Sequence, residues 1–184
     1  MVTKDSLRSQ FRACIPSPEL QLRLSQKLCE HLSHNPNLVN AKNIGVFAAR
    51  KNEPALFDLL SFFPKKLSFP KVYGKSLIFS PLFKLTDLVP GYREILEPKD
   101  SGQVTQFLPG DCILVPGICI DIWGARLGSG LGYYDRFLSV LPPEVFKIGV
   151  IWETQLSSVR LPQEPHDIRM DLICTEIGTI KAKI

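Results

Sequence analysis

Apolar runs of four to seven residues recur along this chain at 44–49, 67–72, 77–83, 112–115, 148–152 and 172–175. Several are apolar throughout rather than alternating, the pattern of parallel strands covered on both faces by helices. Between the runs the period changes. Ser17 followed by Pro18 forms a helix start, serine as cap and proline in the first turn, and Leu20, Leu24, Leu28 and Leu32 then recur every four residues as a core-facing stripe. Further helices are predicted at 54–63 and at 133–141, the latter burying Phe137, Leu138 and Leu141. The stretch from Pro81 to Gly110, with Pro90, Pro98 and Pro109, reads as irregular. These alternations predict a three-layer α/β/α fold with a mainly parallel, open, Rossmann-like sheet, and one domain over residues 1–184.

Length and composition narrow this picture. A chain of 184 residues buries roughly 70% of its unfolded surface and needs no staples. The five cysteines, at 14, 29, 112, 119 and 174, are odd in number and lack C-x-x-C spacing, which fits reduced thiols in the cytoplasm. His31 and His34 lie three apart with no third metal ligand nearby, so a solvated helix face outweighs a zinc site. Residues 1–13 lack the apolar core of a signal peptide. Lys4, Arg8 and Arg12 suit either a transit peptide or a first structural helix. No apolar stretch is long enough to span a membrane. The net charge of +4 suits an anionic ligand, but the basic residues are dispersed, which argues against nucleic acid.

The densest chemical signal is Arg126-Leu-Gly-Ser-Gly-Leu-Gly-Tyr-Tyr-Asp-Arg136. Alternate glycines let a loop turn several N–H groups toward one anion and lead it to a helix N-terminus. A glycine-rich surface turn is the plainer alternative. Two better-known phosphate loops fail on these residues. Gly74-Lys75-Ser76 has Phe69, not glycine, five residues earlier, so a Walker loop is absent. The third glycine of the 128–132 loop falls one residue early for a dinucleotide fingerprint, and Asp121 to Ala125 part it from the preceding strand. Ligands in open parallel sheets sit beyond the carboxyl ends of strands, which directs attention to residues 50–54, Glu97-Pro98, Pro116-Gly117 and 165–171. Taken singly, each carboxylate there reads equally as a helix cap or a surface ion pair.

Taken in order, these segments resemble the 5-formyltetrahydrofolate cyclo-ligase family over nearly the whole chain. The resemblance rests on Lys4-x-x-x-Arg8, Glu53, Glu97-Pro98, the Val115-Pro116-Gly117 to Asp121 run, the 126–135 loop, and His166-Asp167 ahead of Asp171. It implies ATP- and Mg²⁺-dependent closure of 5-formyltetrahydrofolate to 5,10-methenyltetrahydrofolate through a phosphorylated formyl group, an iminium phosphate. It further implies that Lys4, Arg8, Arg126, Leu127, Gly128, Ser129, Gly130, Leu131, Gly132, Tyr133 and Tyr134 hold ATP. Ala48, Glu53, Tyr133 and residues 129–132 would meet the folate, Asp135 and Asp167 the metal, with Arg126 and Tyr133 nearest the chemistry. The implied partner is a reduced folate, with or without a polyglutamate tail, and the expected protein is a monomer or weak homodimer. Ser129, Leu131, Trp152 and Tyr92-Arg93-Glu94 depart from the usual family residues. A folate- or nucleotide-binding relative without turnover is the alternative they leave open. A third reading is an isomerase or transferase that acts on a phosphorylated metabolite without ATP.

Overall fold

A computed structural model describes residues 3–99 and 102–183, so the outermost residues of the expected domain lie outside it. A seven-stranded sheet forms the centre. Its parallel heart comprises β1 (Ile44–Gly45), β2 (Leu67–Tyr73), β6 (Cys112–Pro116), β9 (Phe146–Val150) and β11 (Leu172–Thr175). Antiparallel edge strands β3 (Ser76–Pro81) and β12 (Gly178–Lys181) complete the order β12-β11-β9-β6-β1-β2-β3. The parallel strands coincide with largely apolar runs, their central residues buried because both faces of the sheet are covered. On one face lie α2 (Pro18–Ser33), α3 (Pro36–Asn40) and α4 (Leu59–Phe62), around Leu28, Leu32, Leu38, Leu59 and Phe69. On the other, α5 (Tyr133–Leu138) brings Phe137 and Leu138 against Phe79, Phe107, Ile113 and Ile173. The three-layer expectation holds.

The helices differ from expectation in instructive ways. In α2 the buried face is Ser25, Leu28, Cys29 and Leu32, while Leu20 is 49% exposed. Residues spaced by four drift about 40° per step around a helix, roughly 120° between Leu32 and Leu20, so a strict four-residue stripe rotates off the sheet. Ser17 stands at the N-cap, but its side chain makes no capping hydrogen bond to the helix backbone. The helix expected at 54–63 shrinks to α4 because side chains of α2 hold the Ala55 backbone. Ser25 Oγ accepts the Ala55 N–H at 3.0 Å and Cys29 Sγ donates to its carbonyl at 3.6 Å. In α5 the last helical residue is Leu138, and Leu141 joins the same core from beyond the helix.

Three smaller elements shape the site. Helix α1 (Lys4–Arg12) packs Leu7 and Phe11 on a cluster of Cys119, Ala125, Leu127 and Leu161. Strands β7 (Cys119–Asp121), β8 (Arg126–Leu127) and β10 (Leu156–Ser157) form a three-stranded sheet. The stretch read as irregular contains an antiparallel pair, β4 (Leu88–Pro90) and β5 (Leu96–Pro98). Glu97 is 7% exposed and its Oε1 accepts the N–H groups of Val72 at 3.3 Å and Tyr92 at 3.2 Å, clamping that pair to β2. Gly91 is required beneath it, because a Cβ there would lie 2.3 Å from the Glu97 carboxyl carbon. All five cysteines are free thiols, and burial pushes Cys29, Cys112, Cys119 and Cys174 up to about 12. His31 serves the fold, with Nε2 lying 3.2 Å from the Glu176 carbonyl oxygen. No helix among the described residues is long and apolar enough to cross a membrane.

Candidate active site

A cavity of about 600 Å³ opens beyond the carboxyl ends of β1 and β6. Its wall gathers segments far apart in sequence: α1, residues 47–53, Pro116 to Ile118, the glycine loop and residues 164–167. All of the sequence-predicted site residues, from Lys4 to Asp167, line it. Their convergence follows from the topology, since every parallel strand delivers its following loop to the same edge of the sheet.

The glycine loop runs from β8 directly into α5. Gly132 occupies the N-cap in the left-handed region, φ +67° and ψ 11°, a conformation costly for residues with a Cβ. Gly130 lies beside the Arg8 guanidinium, and Arg8 Nε donates to the Gly128 carbonyl at 2.9 Å. The loop is thereby tied to α1, where Lys4, Arg8 and Arg12 recur every four residues along the cavity side. Arg136, by contrast, lies outside the cavity wall. It braces the loop from behind, donating to the carbonyls of Lys75 at 2.6 Å and Leu131 at 2.9 Å.

Two ion pairs dominate the electrostatics. Arg126 Nη2 lies 2.8 Å from Asp135 Oδ1, with the arginine side chain only 5% exposed, and its Nε is buried without a hydrogen-bond partner. The guanidinium sits over the Tyr134 ring, 5.8 Å from its centroid. Lys4 Nζ lies 2.9 Å from Asp167 Oδ2 and 3.3 Å from Glu164 Oε1. Burial pulls the Lys4 ammonium down, but Asp167 and Glu164 outweigh it and hold it above its ordinary value. Burial likewise pushes Asp167 up, and the Glu164 N–H, Lys4 and His166 together bring it below the ordinary carboxylate value. Glu164, His166 and Asp167 group their ligand atoms within 4.8 Å, while Asp135 lies outside that group. Asp135 and Asp167, the two carboxylates expected at the metal, each face a cation, Arg126 and Lys4 respectively.

The rest of the lining includes Glu53, Tyr92, Ile95, Tyr133 and Tyr134. Glu53 Oε2 accepts the Arg50 N–H at 3.0 Å, closing a tight turn after β1. Burial raises its carboxyl above the ordinary value, only partly offset by Arg50. Burial and the nearby Glu53 also push the Tyr134 hydroxyl up, and Tyr134 packs into both cores. Tyr133 instead meets Tyr92 edge-to-face, ring centroids 5.9 Å apart. Trp152 is fully buried and its Nε1–H donates to the Asn52 carbonyl at 3.0 Å, so it supports the Glu53 turn from beneath. Sequence reasoning missed Tyr92 and Ile95 as cavity residues. Their signal was the apolar and aromatic character of a segment read as irregular. It also left Asp121 unexplained, and this carboxylate is structural, accepting the N–H groups of Trp123, Ala125 and Leu161.

These features define an α/β protein whose cationic glycine loop shares one cavity with Glu53 and tyrosine side chains beyond a parallel sheet. The model of the 5-formyltetrahydrofolate cyclo-ligase family matches residues 1–176, and the chain belongs to that family. It is 29% identical over 182 residues to the 5-formyltetrahydrofolate cyclo-ligase of Mycoplasma genitalium, covering 94% of this chain and 98% of the relative. The Escherichia coli cyclo-ligase is 28% identical over 177 residues, with 92% and 96% covered. Among solved structures, the 5,10-methenyltetrahydrofolate synthetase of Aquifex aeolicus superposes with a TM-score of 0.84 at 32% identity, covering 100% of this chain and 94% of that one.

Proposed function

We propose that this protein closes 5-formyltetrahydrofolate to 5,10-methenyltetrahydrofolate in the cytoplasm, with cleavage of ATP to ADP and phosphate and with Mg²⁺ as the metal. The observation that carries this reading is the shared cavity. A buried guanidinium with an unused N–H, backed by Lys4, Arg8 and a glycine loop, shares one cavity with Glu53 and two tyrosines.

The chemistry needs both sets of residues. A formyl group on nitrogen is amide-like, and its oxygen is a poor leaving group. Its attack on the γ-phosphorus forms an O–P bond and breaks the bond to ADP, leaving an iminium phosphate. N10 then attacks the formyl carbon and loses its proton, and the C–O bond breaks to release phosphate. Such transfers depend on positioning and on charge stabilisation. Arg126 and the loop N–H groups supply positive charge where the phosphoryl group transfers, and Lys4 and Arg8 extend it along the phosphates. Glu53 accepts hydrogen bonds from pterin N–H groups, with Ala48 and Tyr133 against the ring. Asp135 and Asp167 offer the hard carboxylate oxygens that Mg²⁺ prefers, and the bound ion would neutralise phosphate charge.

The test is absorbance at the methenyltetrahydrofolate band with 5-formyltetrahydrofolate and Mg²⁺, with and without ATP, alongside an ADP assay. Product and ADP in equal amounts, only when all components are present, are expected. Product without ATP would overturn the reading. Binding of both ligands without product would indicate a relative that has lost turnover.

A further inference from the structure

We infer that each carboxylate meant for the metal is held by a cation meant for phosphate, so that divalent cation and nucleotide bind cooperatively by exchanging partners with both pairs. The inference rests on the proposed function. Two pairs show the same arrangement independently: Lys4 with Asp167 at 2.9 Å, and Arg126 with Asp135 at 2.8 Å. A divalent cation arriving alone finds Asp167 already neutralised, and displacing Lys4 leaves its ammonium with only the more exposed Glu164 carboxylate, 3.3 Å away. A nucleotide arriving alone must draw Lys4 and Arg126 away, which turns two bare carboxylates toward its phosphates. When both arrive, carboxylates go to metal and cations to phosphate, and every charge remains paired.

The surroundings allow such an exchange without unfolding. Asp167 Oδ2 also accepts the Glu164 backbone N–H at 2.8 Å, so the carboxylate keeps its place when Lys4 leaves. Helix α1 is anchored separately, by Leu7 and Phe11 and by Arg8 on the Gly128 carbonyl, so the Lys4 side chain can swing while its helix stays. Arg126 carries an unpartnered Nε, a donor beyond those that hold Asp135 and the Pro116 carbonyl. His166 adds a second exchangeable neighbour, its Nε2 lying 3.2 Å from Glu164 and 3.8 Å from Asp167.

Calorimetry and Mn²⁺ electron paramagnetic resonance on the full chain test this, with Mn²⁺ and the non-hydrolysable β,γ-imido analogue of ATP as probes. In the wild type, each probe should bind about 10- to 100-fold more tightly when the other is present. Lys4→Met should raise the affinity of nucleotide-free protein for Mn²⁺ by about 3- to 10-fold, and Asp167→Asn should raise the affinity for the analogue in metal-free buffer by a similar factor. A gain of affinity on removing a ligand-binding residue is not expected from structural damage, and either variant suffices if the other fails to fold. Tight analogue binding with Mn²⁺, but no gain in either variant, would overturn the exchange and leave the nucleotide reading intact. No analogue binding to the wild type in any condition would overturn the nucleotide reading itself.

Discussion

The turn beneath the glycine loop and the rim of the cavity both rest on aspartates, yet they hold them differently. Asp121, 1% exposed, accepts three backbone N–H groups at 2.8 to 2.9 Å and fixes the 121–125 turn and the chain at Leu161. Asp135 and Asp167 lie at the rim, and each faces the end of a long cationic side chain, Asp167 keeping a single backbone donor, the Glu164 N–H, beside its lysine. Backbone donors cannot leave, whereas a lysine or arginine can rotate away when a better partner arrives. Carboxylate count and burial therefore say less about function than the identity of the donor.

This contrast can be broken by substitution. Asp121→Ala would orphan three N–H groups at about 1–3 kcal/mol each, partly relieved by water, for an expected loss of about 3–5 kcal/mol in urea unfolding. A loss below about 1 kcal/mol would show that the turn does not depend on it. Asp135→Asn keeps a hydrogen-bond acceptor for Arg126 and should cost less stability than Asp121→Ala, while lowering turnover by about 100-fold or more. Near-normal turnover with an unchanged Mg²⁺ titration would remove Asp135 from the site. Trp152→Phe removes the donor to the Asn52 carbonyl and should cost about 1–3 kcal/mol. It should also raise KM for folate more than KM for ATP, and equal changes would break the link between Trp152 and the Glu53 turn.

The smallest effect concerns pH. The lowered Asp167 contributes stability that is whole above the ordinary carboxylate pKa, about 3.9, and is lost as pH falls through its folded value. The raised Lys4 contributes stability that is whole below about 10.4 and is lost as pH rises through its folded value. The stability difference between wild type and Lys4→Met should therefore be flat from about pH 5 to 10 and shrink on both sides. Thermal unfolding across that range checks this, and a difference that grows toward acid would contradict the pairing.

The parts legible in the sequence share a physical cause. Strands β2, β6, β9 and β11 announce themselves as apolar runs because both faces are buried, and the 126–136 loop because glycine and charge rarely alternate without reason. The α4 region misled because its backbone partners, Ser25 and Cys29, sit 26 to 30 residues away. The β4–β5 pair stayed hidden for a similar reason, since Glu97 organises it through contacts to Val72 and Tyr92. The family pattern pointed to residues that line one cavity, but it did not give their pairing. Lys4 and Asp167 are 163 residues apart, and only the fold decides that they meet.

The central claim, transfer of the γ-phosphoryl group to the formyl oxygen, has a direct test in isotope labelling. With oxygen-18 in the formyl group of 5-formyltetrahydrofolate, mass spectrometry of the released phosphate should find one labelled oxygen in each molecule. Unlabelled phosphate formed alongside methenyltetrahydrofolate would mean that ATP cleavage does not pass through the formyl oxygen, and would contradict the account.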